Sequence, residues 1–172
     1  MATFPVKPRS LVLPRLSFPG FENSTLRLRA VGSPAAWARE ILQRAPAGER
    51  VESARLREER FSEGVFETLR TKQGTAVSVA ELLGTHAGAE QEAAAKLSDE
   101  VKALGPGAHR FEVPVVSGAA GVGSAGADRS AIVFTSGRCV LRVGSARKSS
   151  ASRSALVLAA QRLARRVVQS CR

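Results

Sequence analysis

Residues 131–150, AIVFTSGRCVLRVGSARKSS, contain the pattern on which the fold interpretation depends. Two short runs rich in apolar residues, 132–134 and 140–143, lie on either side of Ser136 and Gly137. Runs rich in β-branched residues that flank a short glycine-containing turn are typical of a β-hairpin. The stretch therefore predicts two antiparallel strands, followed by a basic and serine-rich exit.

A helix is predicted directly after this hairpin, over 152–170. Its apolar residues recur at helical spacing, as expected for one buried face. They are Leu156, Ala160, Leu163 and Val167. The order strand, glycine turn, strand, helix occurs twice, over 64–104 and over 130–170. We therefore predict an α+β fold: a two-layer, mostly antiparallel sheet with helices packed on one face, containing two ββα units. The two halves are either an internal duplication or a chance recurrence of a common motif.

The first half has its own helix pattern, since four apolar residues share one face of the segment before Gly105. They are Ala93, Leu97, Val101 and Leu104. Upstream, alternation at Leu26 and Leu28 predicts a strand, and a short helix is expected over 34–44. The glycine- and alanine-rich stretch 117–128 is predicted to be a flexible connection between the halves.

The first 20 residues contain four prolines and little periodicity, so we predict a flexible N-terminal arm over 1–20. Residues 21–172 then form a single domain. On this interpretation the arm contributes nothing to the core, and its deletion leaves the melting temperature nearly unchanged.

The net charge of +11 is unevenly distributed along the chain. Residues 129–172 carry +10 and no acidic residue, residues 32–128 carry −3, and residues 1–31 carry +4. Such asymmetry favours an anionic partner, which could be a nucleic acid, an acidic lipid surface or an acidic protein. The alternative is a compositional preference for arginine at exposed helix positions.

The sequence predicts a small non-enzymatic binding or interaction domain whose basic C-terminal helix contacts an anionic macromolecule or an acidic protein surface. The candidate binding residues are Arg147, Lys148, Arg153, Arg162, Arg165 and Arg166. An electrostatic nucleic-acid-binding protein is the second hypothesis. It is weakened because residues 135–172 contain no aromatic side chain on which bases could stack.

No catalytic constellation, cofactor motif or metal site is predicted. The glycines of 118–126 precede a strand rather than a helix, which excludes a dinucleotide fingerprint. The histidines His86 and His109 are expected at the surface or in capping positions. They lack the close pairing with the cysteines that zinc sites show. Glu81 is one of several acids for which the sequence indicates no partner.

The cysteines leave two alternatives. If the last helix packs antiparallel on its own strand, Cys139 and Cys171 lie at the same end of the domain, where a disulfide is geometrically feasible. A buried free thiol at Cys139 and an exposed one at Cys171 form the other alternative, which the sequence alone favours. A disulfide would favour an oxidising compartment.

No run of about 20 apolar residues, the length that crosses a bilayer, is present. The first 20 residues lack the apolar core of a secretory signal. The sequence slightly favours a cytoplasmic protein, with export or an organelle as alternatives.

Overall fold

The computed structural model describes residues 7–126, 128–147 and 152–172. The strands are β1 Thr25–Val31, β2 Glu63–Thr71, β3 Gly74–Leu82, β4 His109–Phe111, β5 Ala120–Gly123, β6 Arg129–Ser136 and β7 Cys139–Arg147. The helices are α1 Pro34–Ala36, extended by a π-helical turn Trp37–Ile41, then α2 Pro46–Glu58, α3 His86–Leu104 and α4 Ser152–Val167. The α+β class is therefore confirmed.

All seven described strands form one antiparallel sheet in the order β1-β2-β3-β7-β6-β5-β4. Both predicted hairpins, β2–β3 and β6–β7, are present, and the pairing of β3 with β7 joins them, with Ala80 opposite Leu141. The mostly antiparallel sheet is thus confirmed as well.

Helices cover both faces of the sheet, so the expectation of a two-layer fold with helices on one face is wrong. On one face, α4 packs on Ile132 and Leu141. On the other face, Trp37, α2 and α3 pack on Val133 and Val140. The physical reason is that consecutive residues of β6 and β7 are apolar, and such runs are typical of strands buried on both sides.

The N-terminal segment lies in the core of the α4 face, where four of its side chains are at most 1% exposed. These are Leu11, Val12, Leu13 and Phe18. The expectation that residues 1–20 add nothing to the core is therefore wrong for residues 11–13 and for Phe18. The prolines prevent a long helix, but they do not prevent short 3-10 turns, at Pro8–Ser10 and Arg15–Ser17, from presenting apolar side chains to the sheet.

The helices of the two ββα units are placed differently. Helix α4 packs on its own hairpin, β6–β7, and its predicted apolar stripe is fully buried. Helix α3 packs mainly on β6 and β7 from the opposite face, rather than on β2–β3. The two units therefore share their order along the chain but not their arrangement, and an internal duplication stays a prediction.

The glycine-rich stretch predicted as a flexible connection contains strand β5, which pairs with β4 and β6. A Cβ atom at Gly121 would lie within about 2.5 Å of the Phe111 ring. Glycine in a strand often marks such a close approach, and here the absence of a side chain makes room for the aromatic ring. Gly121, one of the glycines that indicated a loop, therefore serves sheet packing.

Candidate functional site

The sequence-predicted basic residues do not form one surface. They are Arg147, Lys148, Arg153, Arg162, Arg165 and Arg166. Lys148 lies outside the described residues. Arg165 is exposed on α4. The other four guanidinium groups make contacts within the protein, which reduces their freedom to bind a partner.

Two of these arginines hold the N-terminal segment against α4. Nη1 of Arg162 donates to the carbonyl oxygen of Ser17 at 2.8 Å. Arg166 donates from Nε to Val12 at 3.1 Å and from Nη2 to Arg9 at 3.0 Å. Backbone carbonyls without a partner in secondary structure are thereby satisfied, so both side chains have a structural role.

Arg147 and Arg153 stack on aromatic rings. The guanidinium carbon of Arg147 lies 5.0 Å from the centre of the Phe21 ring, and that of Arg153 lies 4.6 Å from the Phe111 ring. Cation–π contacts at these distances are favourable and fix the side chain over the ring. Arg147 also donates to the Oε1 atom of Gln73 at 3.4 Å.

A basic hollow lies at the β2–β3 turn and the end of β7. It has a volume of about 390 Å³, and its lining includes Arg70, Lys72, Arg129 and Arg147. Asp128 is the one acidic side chain among the described lining residues. The structure thus brings Arg147 together with three cations from other strands and turns, which the sequence did not predict.

A buried group of charges on the opposite face forms the second candidate site. Nζ of Lys96 lies 2.8 Å from a carboxylate oxygen of Glu81, 3.2 Å from Glu92 and 3.6 Å from Glu52. All four side chains are less than 10% exposed. Oε1 of Glu81 also accepts a hydrogen bond of 2.8 Å from Nε1 of Trp37.

Arg55 on α2 and Glu59 directly after it also belong to this group. We call the whole group the charged cluster: Glu52, Arg55, Glu59, Glu81, Glu92 and Lys96. Arg55 bonds Glu52 at 2.7 Å and lies 3.0 Å from Glu92. Glu59 lies beside Glu92. The cluster therefore contains four carboxyl groups and two cations.

This excess of acids changes the ionisation of the charged cluster. Burial, together with the charge of Glu81, raises the pKa of Glu92 to about 9. Burial also raises the pKa of Glu59. Burial acts to lower the pKa of Lys96, but the neighbouring carboxylates outweigh it and raise that pKa. At neutral pH, Glu92 therefore holds a proton and Lys96 is charged.

A cleft of about 240 Å³ lies beside the charged cluster, between the helical turn Trp37–Ile41, the sheet and α3. Glu81 and Lys96 belong to both the cleft lining and the cluster. The remaining lining has an apolar part, and it has a charged part made of two ion pairs, Arg44–Asp99 and Arg142–Glu100. The apolar part comes from Ile41, Leu42, Phe66, Val79, Ala103 and Val140. A concave apolar site with a few buried polar groups is the usual form of a small-ligand site.

The charged cluster was not predicted, and the expectation that Glu81 has no partner is wrong, because Glu81 pairs with Lys96 and Trp37. The spacing of residues in α3 contained a signal for this cluster. Glu92 and Lys96 lie on the same helical face as the small residues Gly88 and Ala89, and these four are the buried positions of α3. Hydrophobic periodicity selected the neighbouring face instead, which begins at Ala93 and is only partly buried.

The two cysteines are at disulfide distance, with Cα atoms 5.4 Å apart. Both Cys139 and Cys171 are fully buried, so the alternative of an exposed thiol at Cys171 is wrong. The pair connects the start of β7 to the chain after α4. This is the antiparallel arrangement that the feasible disulfide required.

Both histidines are exposed. His86 contacts the carbonyl oxygen of Gly137 at 2.7 Å, and His109 contacts Arg153. Over residues 7–126, 128–147 and 152–172, no three histidine, cysteine, aspartate or glutamate side chains are grouped as metal ligands.

Neither a known protein family nor a curated protein matches this chain in sequence. None of the described helices combines the length and apolar character needed to cross a bilayer. The functional hypotheses therefore depend on the geometry of the basic hollow and of the cleft.

Proposed function

We propose that the protein is a non-enzymatic binding domain that contacts an anionic partner through the basic hollow. The observation that carries the proposal is the convergence of Arg70, Lys72, Arg129 and Arg147 around one depression, with Asp128 as the one acid among its described lining residues. Like charges that converge at a surface raise the local concentration of an anion and its association rate.

This proposal moves the contact away from the C-terminal helix. Arg162 and Arg166 are occupied by backbone carbonyls of the N-terminal segment. Arg165 remains exposed on α4. The hollow, by contrast, joins Arg147 from the predicted set to three cations that no secondary-structure pattern had connected.

An acidic polypeptide fits this surface better than a single-stranded nucleic acid. Proteins that bind single strands stack the bases on accessible aromatic side chains. Within the described part of the chain, no phenylalanine or tryptophan side chain is exposed. Duplex DNA or RNA, bound only through phosphates, is the second hypothesis and is distinguished by the same experiment.

The test is fluorescence anisotropy with three labelled probes: a glutamate-rich peptide, duplex DNA and single-stranded RNA, each titrated at about 50 and 200 mM salt. We expect the peptide to bind more tightly than either nucleic acid, with affinity falling as salt rises. Tighter binding of duplex DNA, with a steep salt dependence, supports the second hypothesis. No binding of any probe at the lower salt concentration refutes both.

A charge-matched pair of variants locates the contact. The triple variant Arg70→Gln, Lys72→Gln, Arg129→Gln removes three cations from the hollow and leaves Arg147 on Phe21. The control removes three exposed arginines elsewhere, by Arg27→Gln, Arg50→Gln and Arg57→Gln. We expect the first to weaken peptide binding at least about tenfold, and the control to change it much less. Equal losses would mean that total charge, not the hollow, determines binding.

A further inference from the structure

We propose that the cleft beside the charged cluster binds a small organic ammonium ion with an apolar body. Its ammonium group would pair with the free carboxylate oxygen of Glu81. This site is separate from the basic hollow and does not rest on the function proposed above. The argument combines the shape of the cleft, an unpartnered oxygen and the charge of the cluster.

The unpartnered oxygen belongs to Glu81, which is 1% exposed and lines the cleft. Its Oε1 atom is occupied by Trp37 and Lys96. Its Oε2 atom is buried and has no hydrogen-bond partner among the described residues. A buried acceptor without a donor is costly, because it has lost its contact with water. A ligand that brings an N–H group to this oxygen would remove that cost.

Charge selects a cation over an anion. With Glu92 protonated, the charged cluster still contains three other carboxyl groups, Glu52, Glu59 and Glu81, against the two cations Lys96 and Arg55, so it lacks positive charge. The two arginines that line the cleft are themselves paired, Arg44 with Asp99 and Arg142 with Glu100. An anionic ligand would therefore approach Glu81 without a free cation to receive it. An ammonium ion would supply the missing charge.

The size of the cleft limits the ligand. Its volume of about 240 Å³ lies below the roughly 300–1,000 Å³ of pockets for drug-sized molecules. The apolar wall formed by Ile41, Phe66, Val79 and Val140 suits a ring or a branched chain. A single-ring amine of benzylamine size matches this combination of volume, wall and polar end.

Proton release should accompany binding of the cation. Buried Glu92 holds a proton at neutral pH, and the titratable groups that face it are Glu52, Arg55, Glu59, Glu81 and Lys96. A second cation beside Glu81 attracts negative charge at Glu92 and so favours its ionisation. Linkage then requires the ammonium affinity to rise with pH while the ligand itself stays protonated.

The experiment uses probes with one body and three end groups: benzylamine, benzyl alcohol and benzoate. Calorimetry measures affinity, and the emission of Trp37, the single tryptophan, reports a ligand next to Glu81. We expect benzylamine to bind with a Kd below about 1 mM, the alcohol at least about tenfold more weakly, and benzoate not measurably. The affinity of benzylamine should rise, by up to about tenfold per pH unit, between about pH 6 and pH 8.

Two variants on one helix localise the binding. Ala103 lies at the cleft, whereas Ala94 is exposed on α3 and does not line it. Ala103→Phe should fill the cleft and abolish benzylamine binding, and Ala94→Phe should leave it unchanged. Glu81→Gln should weaken binding at least about tenfold, because the amide keeps an acceptor for Trp37 but loses the charge.

Several outcomes would overturn the proposal. They are no binding of benzylamine at about 10 mM, binding of benzoate as tight as that of benzylamine, unchanged affinity in Ala103→Phe, and an affinity that does not rise with pH. Because Ala103→Phe leaves every charged residue in place, the test stands even if Glu81→Gln does not fold.

Discussion

The two faces of the central sheet are stabilised by different means. On the α4 face, apolar side chains of α4 and the N-terminal segment fill the core, and the pair Cys139–Cys171 joins strand to chain end. On the α3 face, a smaller apolar group around Trp37 adjoins the charged cluster and the cleft. The first face is mainly apolar, and the second combines a network of buried charges with an open cleft.

The difference indicates where function and where stability are concentrated. Burial of apolar side chains is the main stabilising contribution to a fold, and the α4 face supplies most of it. Buried ion pairs contribute little net stability, because desolvation offsets their attraction. Buried, perturbed ionisable groups in a cleft are more typical of binding or catalytic sites. We therefore expect damage to the α4 face to unfold the protein and damage to the cleft to alter binding.

The largest expected effect comes from deleting residues 2–20. The deletion removes four fully buried side chains, and burial of each contributes about 1.5–3 kcal/mol, so the loss is comparable with the whole stability of a typical domain. Circular dichroism during heating should show no cooperative transition near that of the full chain. The matched point variants are Phe18→Ala, expected to lose about 3–5 kcal/mol, and Leu16→Ala, which is 72% exposed and should lose little. An unchanged melting temperature in the deletion variant would mean that the segment does not pack as described.

The second effect concerns the charged cluster. Lys96→Met leaves Glu52, Glu81 and Glu92 without their shared cation, and breaking a buried pair in this way costs about 3–5 kcal/mol. Urea denaturation should show this loss. Lys102→Met, which removes an exposed cation from the same helix, is the control. If both variants were equally stable, the cluster would not be a buried network.

The third effect tests the covalent connection on the α4 face. Closing a loop across a separation of 32 residues constrains the unfolded chain by about 3.7 kcal/mol in the chain-entropy model. Reduction, or the variant Cys139→Ser with Cys171→Ser, should lower the free energy of unfolding by about 3–4 kcal/mol. Thiol counting on the unfolded protein without reductant should find no free thiol. Two free thiols would show that the bond does not form.

The smallest expected effect is a pH dependence of stability that comes from Glu67 on the α4 face. Glu67 is 3% exposed, and burial raises its pKa to about 7 against the opposing charges of Arg166 and Arg9. The folded state thus holds this proton more tightly than the unfolded chain does. The stabilisation that the protonated Glu67 contributes is therefore fully present below about pH 4.5, and it is lost as the pH rises through about 7.

Glu67→Gln should remove that dependence and stabilise the protein by roughly 1–2 kcal/mol at about pH 8. Urea denaturation at several pH values measures the free energy of unfolding of both proteins. Glu58→Gln, at an exposed position on α2, should keep the pH profile of the original chain. A profile that is flat before any substitution would contradict a buried, protonated Glu67.

Much of the local structure could be predicted because each element carries its own pattern. The two hairpins follow from strand runs around Gly74 and Gly137, and α4 follows from its apolar stripe. Strand β5 was missed, because small residues that pack against Phe111 resemble a loop in composition. The N-terminal segment was missed because its buried side chains follow no regular period.

By itself, the sequence determined the α+β class, the two hairpins with a helix after each, and the uneven charge, because these depend on neighbours along the chain. Only the tertiary structure decided that helices cover both faces, that Lys96 meets acids from α2, β3 and its own helix, and that Arg70 and Arg147 share one hollow. The cause is the same in each case: pairing of β3 with β7 and packing of α3 across the sheet bring together residues far apart in sequence. Periodicity along the chain does not specify which charged side chains will pair across such distances in sequence.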